Sequence, residues 1–129
     1  MTLKYRVLTH GLAVCRATAE SPIPAWAQNA DFFCIVHTTD ELSLVCPEAC
    51  VGAGDLNFQI ERGWTALKLE GPFPFTMTGI LASFLQPLAE AKIPIFAVST
   101  FDTDYVLIKY DDLPRAQAAL SAAGHKIAS

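Results

Sequence analysis

The sequence predicts an α+β fold made of two related βαββαβ units, each with an antiparallel sheet. Two observations support this prediction. In the second half of the chain, β-rich runs at residues 64–69 and 93–109 flank one amphipathic helical segment at 78–91. The same order of elements recurs in weaker form in the first half. With 129 residues, the chain suits one domain or two half-size units that share a core.

The first half consists of short apolar and alternating runs that are typical of strands. Pro22 and Pro24 interrupt these runs and lead into a helical turn, and residues 39–41 make the turn of a hairpin. The predicted elements are strands at 3–8 and 12–17, a helical turn at 25–28, strands at 32–38 and 42–46, a helical turn at 47–51 stopped by 52–54, and a strand at 56–61. Arg62 and Gly63 are predicted to join the two halves.

The second half has a clearer helical pattern, because apolar residues recur at helical spacing between positions 80 and 91. Thr76 or Thr78 is predicted to cap this helix, and Pro87 is predicted to bend it slightly. The predicted elements are a strand at 64–69, a helix at 78–91, strands at 94–100 and 105–109, a helix at 115–123 that ends at Gly124, and a strand at 125–128.

The order βαββαβ gives an antiparallel sheet with both helices on one face, the ferredoxin-like or split-βαβ plan. Without large gaps, residues 11–16 lie over 63–68, residues 33–40 over 96–102, and residues 42–45 over 105–108. We therefore predict that the first unit is a degenerate copy of the second, with shortened helices and an unpaired strand in front. The predicted domains are 1–62 and 63–129.

The composition excludes several classes of function. The net charge is −4 and the nine basic residues are scattered, whereas a nucleic-acid surface needs clustered Lys and Arg. The longest apolar stretch, at 79–91, is too short to span a bilayer. The N-terminus carries charges where a secretory signal has its apolar core. We expect no nucleic-acid or membrane partner and a cytoplasmic location.

The four cysteines lack the paired spacing of a metal site. Cys15, Cys34 and Cys46 lie in apolar strand-like runs, which predicts reduced thiols that pack as small hydrophobic side chains. Cys46 and Cys50 with His37 are the one weak metal-binding alternative. We expect no metal and no cofactor.

The segments 70–75, 79–91 and 99–108 resemble the ACT domain, a small regulatory module that binds amino acids beside many metabolic enzymes. They are more closely similar to the stand-alone bacterial tandem-ACT proteins, which are similar to the ACT domains of the eukaryotic cytosolic arginine sensor. In the first half, the segments 25–26 and 40–48 fit the same bacterial subgroup. The resemblance thus covers nearly the whole chain, and it implies a regulatory sensor of a small amino-acid-like ligand.

In the arginine-sensing relatives, the loop before the first helix and a Ser-Thr-Phe…Asp segment hold the ligand. The resemblance therefore implies these ligand-binding residues: Thr76, Met77, Thr78, Gly79, Ser99, Thr100, Phe101 and Asp104. Met77 stands where the sensor has an acidic residue, which argues against arginine because a guanidinium needs a carboxylate or several carbonyls opposite it. Main-chain amides around Gly79 can take an α-carboxylate. Asp104 can take an α-amino group or a basic side chain.

Catalytic chemistry has little support in the sequence. Asp102 and Asp104 are the nearest approach to a catalytic carboxylate pair, but Asp102 is more simply a turn residue and no partner base or acid is evident. No Gly-x-Ser-x-Gly motif occurs. His10 and His125 each lie beside a turn and are predicted to be solvated. We therefore expect a non-enzymatic protein.

Two non-enzymatic functions stay open at this point. Phe73, Phe75 and Phe101 can line a ligand pocket, or they can pack in a core. The favoured function is ligand sensing through tandem ACT domains. The alternative is a ligand-free module for protein–protein interaction or assembly, which could form a homodimer through sheet edges or helices.

Overall fold

A computed structural model of the chain describes residues 1–52, 57–74 and 76–128. These residues form two compact units. The first unit is His10–Trp64, and the second combines Met1–Thr9 with the chain from Thr65 onward. The division into domains 1–62 and 63–129 stays a prediction, and the units differ from it at the N-terminus, where residues 1–9 belong with the second half.

The secondary structure confirms the α+β class. The elements in chain order are β1 (Lys4–Val7), β2 (Leu12–Ala17), β3 (Cys34–His37), β4 (Leu42–Pro47), β5 (Gln59–Leu69), α1 (Ile80–Glu90), β6 (Phe96–Ser99), β7 (Asp104–Lys109), α2 (Leu113–Ala122) and β8 (Lys126–Ile127). Short 3-10 helices occupy Ala25–Gln28, Glu48–Cys50 and Tyr110–Asp112. No described helix is long and apolar enough to cross a bilayer.

The first unit has the strand order β3-β4-β2-β5, so its fourth strand lies beside its first. The 3-10 helices Ala25–Gln28 and Glu48–Cys50 stand where the second unit has full helices. Its core is built from small and medium apolar residues: Ala13, Cys15, Ala17, Ala27, Leu42 and Leu44. The prediction of a degenerate βαββαβ unit is confirmed.

The second unit contains β5-α1-β6-β7-α2-β8, with one strand more than the basic plan. Its strand order is β6-β7-β5-β1-β8, in which β1 separates the fourth strand from the first. β1 is antiparallel to β5 and parallel to β8. The prediction that this leading strand is unpaired was therefore wrong. Leu3 and Tyr5 explain its position, because both side chains are buried in the core of the second unit.

The core of the second unit lies between its sheet and its two helices. Phe84 and Leu88 of α1 and Leu120 of α2 are fully buried, and Tyr5 meets the Phe84 ring edge-on at 5.5 Å. His125 belongs to this interior, with 4% of its surface exposed. The prediction of a solvated His125 was wrong, because Gly124 (φ 92°) ends the turn after α2 and the next residue enters the core.

Arg62 and Gly63 lie inside β5 and do not separate two strands, contrary to prediction. Gly63 takes a left-handed conformation (φ 83°), and its amide donates a hydrogen bond to the carboxylate of Glu48. The pairing between β2 and β5 shifts register opposite this point, between Leu12 and Val14. A bulge of this kind lets a strand continue through a glycine. The predicted strand start at Leu56 and the stop at Ala53–Gly54 lie outside the described residues.

The start of α1 also differs from the prediction. The helix begins at Ile80, and Gly79 precedes it in a left-handed conformation (φ 77°) without a side-chain cap. Thr76 and Thr78 therefore do not cap the helix. Pro87 lies inside α1, as predicted.

Candidate functional site

A groove of about 310 Å³ lies in the second unit, between the loop before α1 and the turn that joins β6 to β7. Its lining residues are Phe73, Pro74, Met77, Gly79, Ile80, Leu81, Ser99, Thr100, Phe101, Asp102, Thr103 and Asp104. Six of the eight residues implied by the family resemblance are among them. Thr76 and Thr78 are exposed and do not belong to the lining.

Asp104 and Ser99 form the polar floor of the groove. They face each other across the β6–β7 ladder, and the Ser99 hydroxyl donates to Oδ1 of Asp104 at 2.5 Å. A carboxylate has about four acceptor positions, so this bond leaves acceptors for a donor group on a ligand. The half-buried Asp104 is thus oriented by its neighbour and is still able to accept further hydrogen bonds.

The turn after Ser99 is held in one shape by hydrogen bonds. The Thr100 amide donates to the Thr103 carbonyl at 2.8 Å, and the Thr103 hydroxyl donates to the Leu69 carbonyl at 2.7 Å. The Phe73 amide donates to the Asp102 carbonyl at 2.9 Å, which ties the turn to the loop that follows β5. These bonds fix two walls of the groove relative to each other. They also give Asp102 the turn role that was predicted for it.

The first turn of α1 supplies a third wall of the groove, through Gly79, Ile80 and Leu81. The Ser83 amide donates to the Gly79 carbonyl at 2.9 Å, which is the first bond of the helix. The amides of Ile80, Leu81 and Ala82 precede that bond and have no acceptor within the helix. Amides at a helix N-terminus favour anionic groups, and a carboxylate is one such group.

Apolar side chains complete the groove. Phe73 and Met77 belong to the wall before α1, and Phe101 lies on the turn, with 78% of its surface exposed. Phe75, the third aromatic residue considered for the pocket, lies outside the described residues. The described lining holds two carboxylates, Asp102 and Asp104, and no basic side chain. Its chemistry therefore suits a ligand with a cationic group and disfavours one with a net negative charge.

Four lining residues were not considered from the sequence as candidates for any kind of site: Pro74, Ile80, Leu81 and Thr103. The spacing of Ile80 and Leu81 indicates core residues, yet the first turn of a helix exposes its backbone even when its side chains are apolar. Thr103 lies between two aspartates, which are the more prominent candidates. For Pro74, the sequence signal was the Gly- and Pro-containing segment 71–74, which ends the strand before α1 and so indicates a loop there.

The cysteines behave as structural residues of the first unit. All four are free thiols, and Cys15 and Cys46 are buried in neighbouring strands. The hydrogen bond with Cys15, together with burial, raises the pKa of the Cys46 thiol. Burial also raises the pKa of the Cys34 thiol. The described residues bring no three His, Cys, Asp or Glu side chains together as metal ligands.

Comparison with known families shows two matches along the chain. A model of the ACT domain matches residues 59–122. A second model, described as an N-terminal domain, matches residues 11–53. The human putative protein CASTOR3P is 41% identical over an alignment of 101 positions, which covers 70% of this chain and 62% of that protein. The chain thus spans less than two thirds of the length of this relative.

Solved structures show similarity over the whole chain. Protein Atu0741 from Agrobacterium tumefaciens is 37% identical with a TM-score of 0.90, over 99% of this chain and 93% of that one. The ligand-free regulatory subunit of aspartate kinase from Thermus thermophilus is 12% identical with a TM-score of 0.63, over 91% of this chain and 96% of that one. The second similarity is one of fold alone.

Proposed function

Because the chain belongs to the ACT domain family, we propose that it is a non-enzymatic regulatory protein that binds a small amino-acid-like ligand in the groove of its second unit. One observation carries the proposal: the first turn of α1, with Ile80 and Leu81, and the oriented carboxylate of Asp104 line the same groove. An α-amino acid carries an anionic carboxylate and a cationic ammonium, which are complementary to these two features. The four free cysteines suit the proposed cytoplasmic location.

The charges of the groove narrow the class of ligand. Asp102 and Asp104 repel a second carboxylate, so aspartate and glutamate are poor ligands. The wall with Phe73 and Met77 favours an apolar part on the ligand. We propose a neutral amino acid with an apolar side chain, or a close analogue. Regulation would follow by population shift: the ligand stabilises one arrangement of the protein, and a partner recognises that arrangement.

Thermal unfolding in the presence of each of the twenty L-amino acids tests the proposal. A ligand at about a hundredfold over its dissociation constant stabilises the folded protein by roughly 2.7 kcal/mol. Asp104→Asn keeps an oxygen for the Ser99 hydroxyl but removes the charge, so we expect it to abolish the ligand-dependent rise in melting temperature. Asp40→Asn, at an exposed turn of the first unit, is the matched control and should keep the rise.

Two results would contradict the proposal. One is that no amino acid raises the melting temperature of the unchanged protein. The other is that Asp104→Asn and Asp40→Asn respond equally to the same amino acid, since the groove would then not be where it binds.

A ligand-free assembly module is the second candidate, and one observation favours it. In the described residues of the first unit, β3 lies at the end of the strand order and pairs with β4. Val36 on this strand and Phe33 just before it are exposed apolar residues. An exposed edge strand with apolar side chains is a template for pairing with another chain.

A further inference from the structure

The ring of His125 makes two hydrogen bonds to main-chain groups in the interior of the second unit. Its Nδ1 accepts from the Leu3 amide at 3.1 Å, and its Nε2 lies 3.2 Å from the Ser83 carbonyl. Since Nδ1 is an acceptor, the proton of the neutral ring is on Nε2, which then donates to Ser83. The ring also packs on Phe84, with 5.5 Å between the ring centroids.

Pro87 explains why the Ser83 carbonyl needs a donor from outside the helix. In a regular α-helix the amide of residue 87 would donate to the carbonyl of residue 83, four positions earlier. Proline has no amide hydrogen, and its ring pushes against that same carbonyl. His125 therefore supplies the hydrogen bond that Pro87 removes from α1. Neither residue has an evident role when considered alone.

Ser83 connects His125 to the groove. The Ser83 amide donates to the carbonyl of Gly79, which lines the groove together with Ile80 and Leu81. On the other side of His125, Leu3 is held twice, because its carbonyl also accepts from the Lys126 amide at 2.8 Å. A continuous series of hydrogen bonds thus runs from Gly79 through Ser83 and His125 to Leu3, the residue before β1.

We propose that His125 is a positioning residue for the groove, which fixes the first turn of α1 through Ser83 and couples that turn to the attachment of β1. Only the part of this proposal that concerns ligand affinity depends on the function proposed above. The part that concerns the position of the first turn of α1 applies to the protein without ligand. Because coupling between two sites is reciprocal, a ligand in the groove also strengthens the attachment of β1.

Two substitutions separate the two hydrogen bonds of the ring. His125→Asn places an amide oxygen near the position of Nδ1 and keeps the bond from Leu3, but it does not reach Ser83. His125→Gln places an amide donor near the position of Nε2 and keeps the bond to Ser83, but it loses Leu3. Both lose the packing on Phe84, so a purely structural role for His125 predicts the same behaviour for both.

Amide hydrogen exchange measured residue by residue in the ligand-free protein tests the positioning directly. His125→Asn leaves the Ser83 carbonyl without its donor, so we expect the first turn of α1 to open more often and the Ser83 amide, which donates to Gly79, to exchange about five- to tenfold faster, while the Leu3 amide stays protected. His125→Gln should speed exchange at the Leu3 amide and leave the Ser83 amide protected. Adding Pro87→Ala to His125→Asn returns a helical donor to the Ser83 carbonyl, and we expect it to slow exchange at Ser83 again without changing Leu3.

Binding provides the second readout, with the twenty L-amino acids presented singly as probes. Any amino acid that binds the unchanged protein should bind about five- to tenfold more weakly to His125→Asn and with unchanged affinity to His125→Gln. Pro87→Ala should restore the affinity in the Asn variant. Equal effects of the Asn and Gln variants on both amides would overturn the inference. If no amino acid binds at all, the proposed function fails, and the exchange data still decide this inference.

Discussion

Two of the described glycines with a left-handed backbone lie where a secondary-structure element is interrupted or begins. Gly63 (φ 83°) forms the bulge in β5, and Gly79 (φ 77°) precedes α1 beside the groove. A Cβ atom at either position would meet nothing within 4 Å, so space does not select glycine there. The backbone conformation does, because a Cβ atom in the left-handed region strains against the neighbouring carbonyl.

Gly63→Ala tests the bulge at the residue scale. We expect it to lower the free energy of unfolding by about 1–2 kcal/mol, which is the cost of a left-handed conformation at a residue with a Cβ atom. Urea unfolding followed by circular dichroism measures the change. Gly63→Asn is the matched control and should cost less, because asparagine tolerates this conformation better than alanine does. Equal losses for the two variants would show that backbone strain is not the cause.

Secondary-structure elements were predictable where side-chain pattern alone decides them. β2 has the predicted bounds, and the apolar spacing of α1 gave its type and approximate position. Strand pairing over long distances was not predictable. The alternation of apolar and polar residues in β1 indicates a strand, but it does not show with which other strand β1 pairs. His125 illustrates the same point: a histidine after a glycine turn is usually solvated, and only the core around Phe84 shows why this one is not.

Part of the candidate site was predictable, because the residue types of its loops indicate what those loops can bind. The Ser99–Asp104 segment is distinguished by its polar residues and its family resemblance, and the structure places those residues in one groove. The contribution of Ile80 and Leu81 could not be predicted, because it depends on where the helix begins. Thr78 was a predicted cap, whereas the helix begins only after the left-handed Gly79, which places its N-terminal amides further along the chain.

The position of β1 leads to a prediction at the element scale. Tyr5 is 3% exposed and packs edge-on against Phe84, so Tyr5→Ala leaves a cavity in the core of the second unit. We expect it to lower the free energy of unfolding by about 3–5 kcal/mol, measured by urea denaturation. The neighbouring exposed Lys4→Ala should change stability by no more than about 0.5 kcal/mol. If both variants are nearly neutral, β1 is an accessory strand.

Considered as a whole, the molecule repeats one plan in two copies of unequal completeness. The second unit keeps two helices, a core with Phe84 and a groove. The first unit keeps the strand order but has 3-10 helices and alanine-rich packing. Among its described residues the first unit has no full helix, and therefore no helix N-terminus like the one that lines the groove of the second unit. We therefore place the proposed ligand site in one unit only.

Light scattering on the unchanged protein addresses assembly at the scale of the whole molecule. If the chain forms a homodimer through the edge strand β3, Val36→Lys should shift the molar mass to that of a monomer, because a charge on an edge strand opposes pairing. Lysine fits there without loss of core packing, since Val36 is 49% exposed. A molar mass that is independent of concentration and of this substitution contradicts dimerisation through β3.

The insertion of β1 between β5 and β8 has a consequence for synthesis on the ribosome. The first unit is contiguous in sequence, so all of its strands leave the ribosome before most of the second unit has been made. The second unit forms later, because Leu3 bonds to His125 across 122 positions. Closing such a long loop is slow. Residues 1–9 are translated before the first unit and are therefore among the last to reach their final partners, and Leu3 and Tyr5 need protection from solvent and from other chains until then.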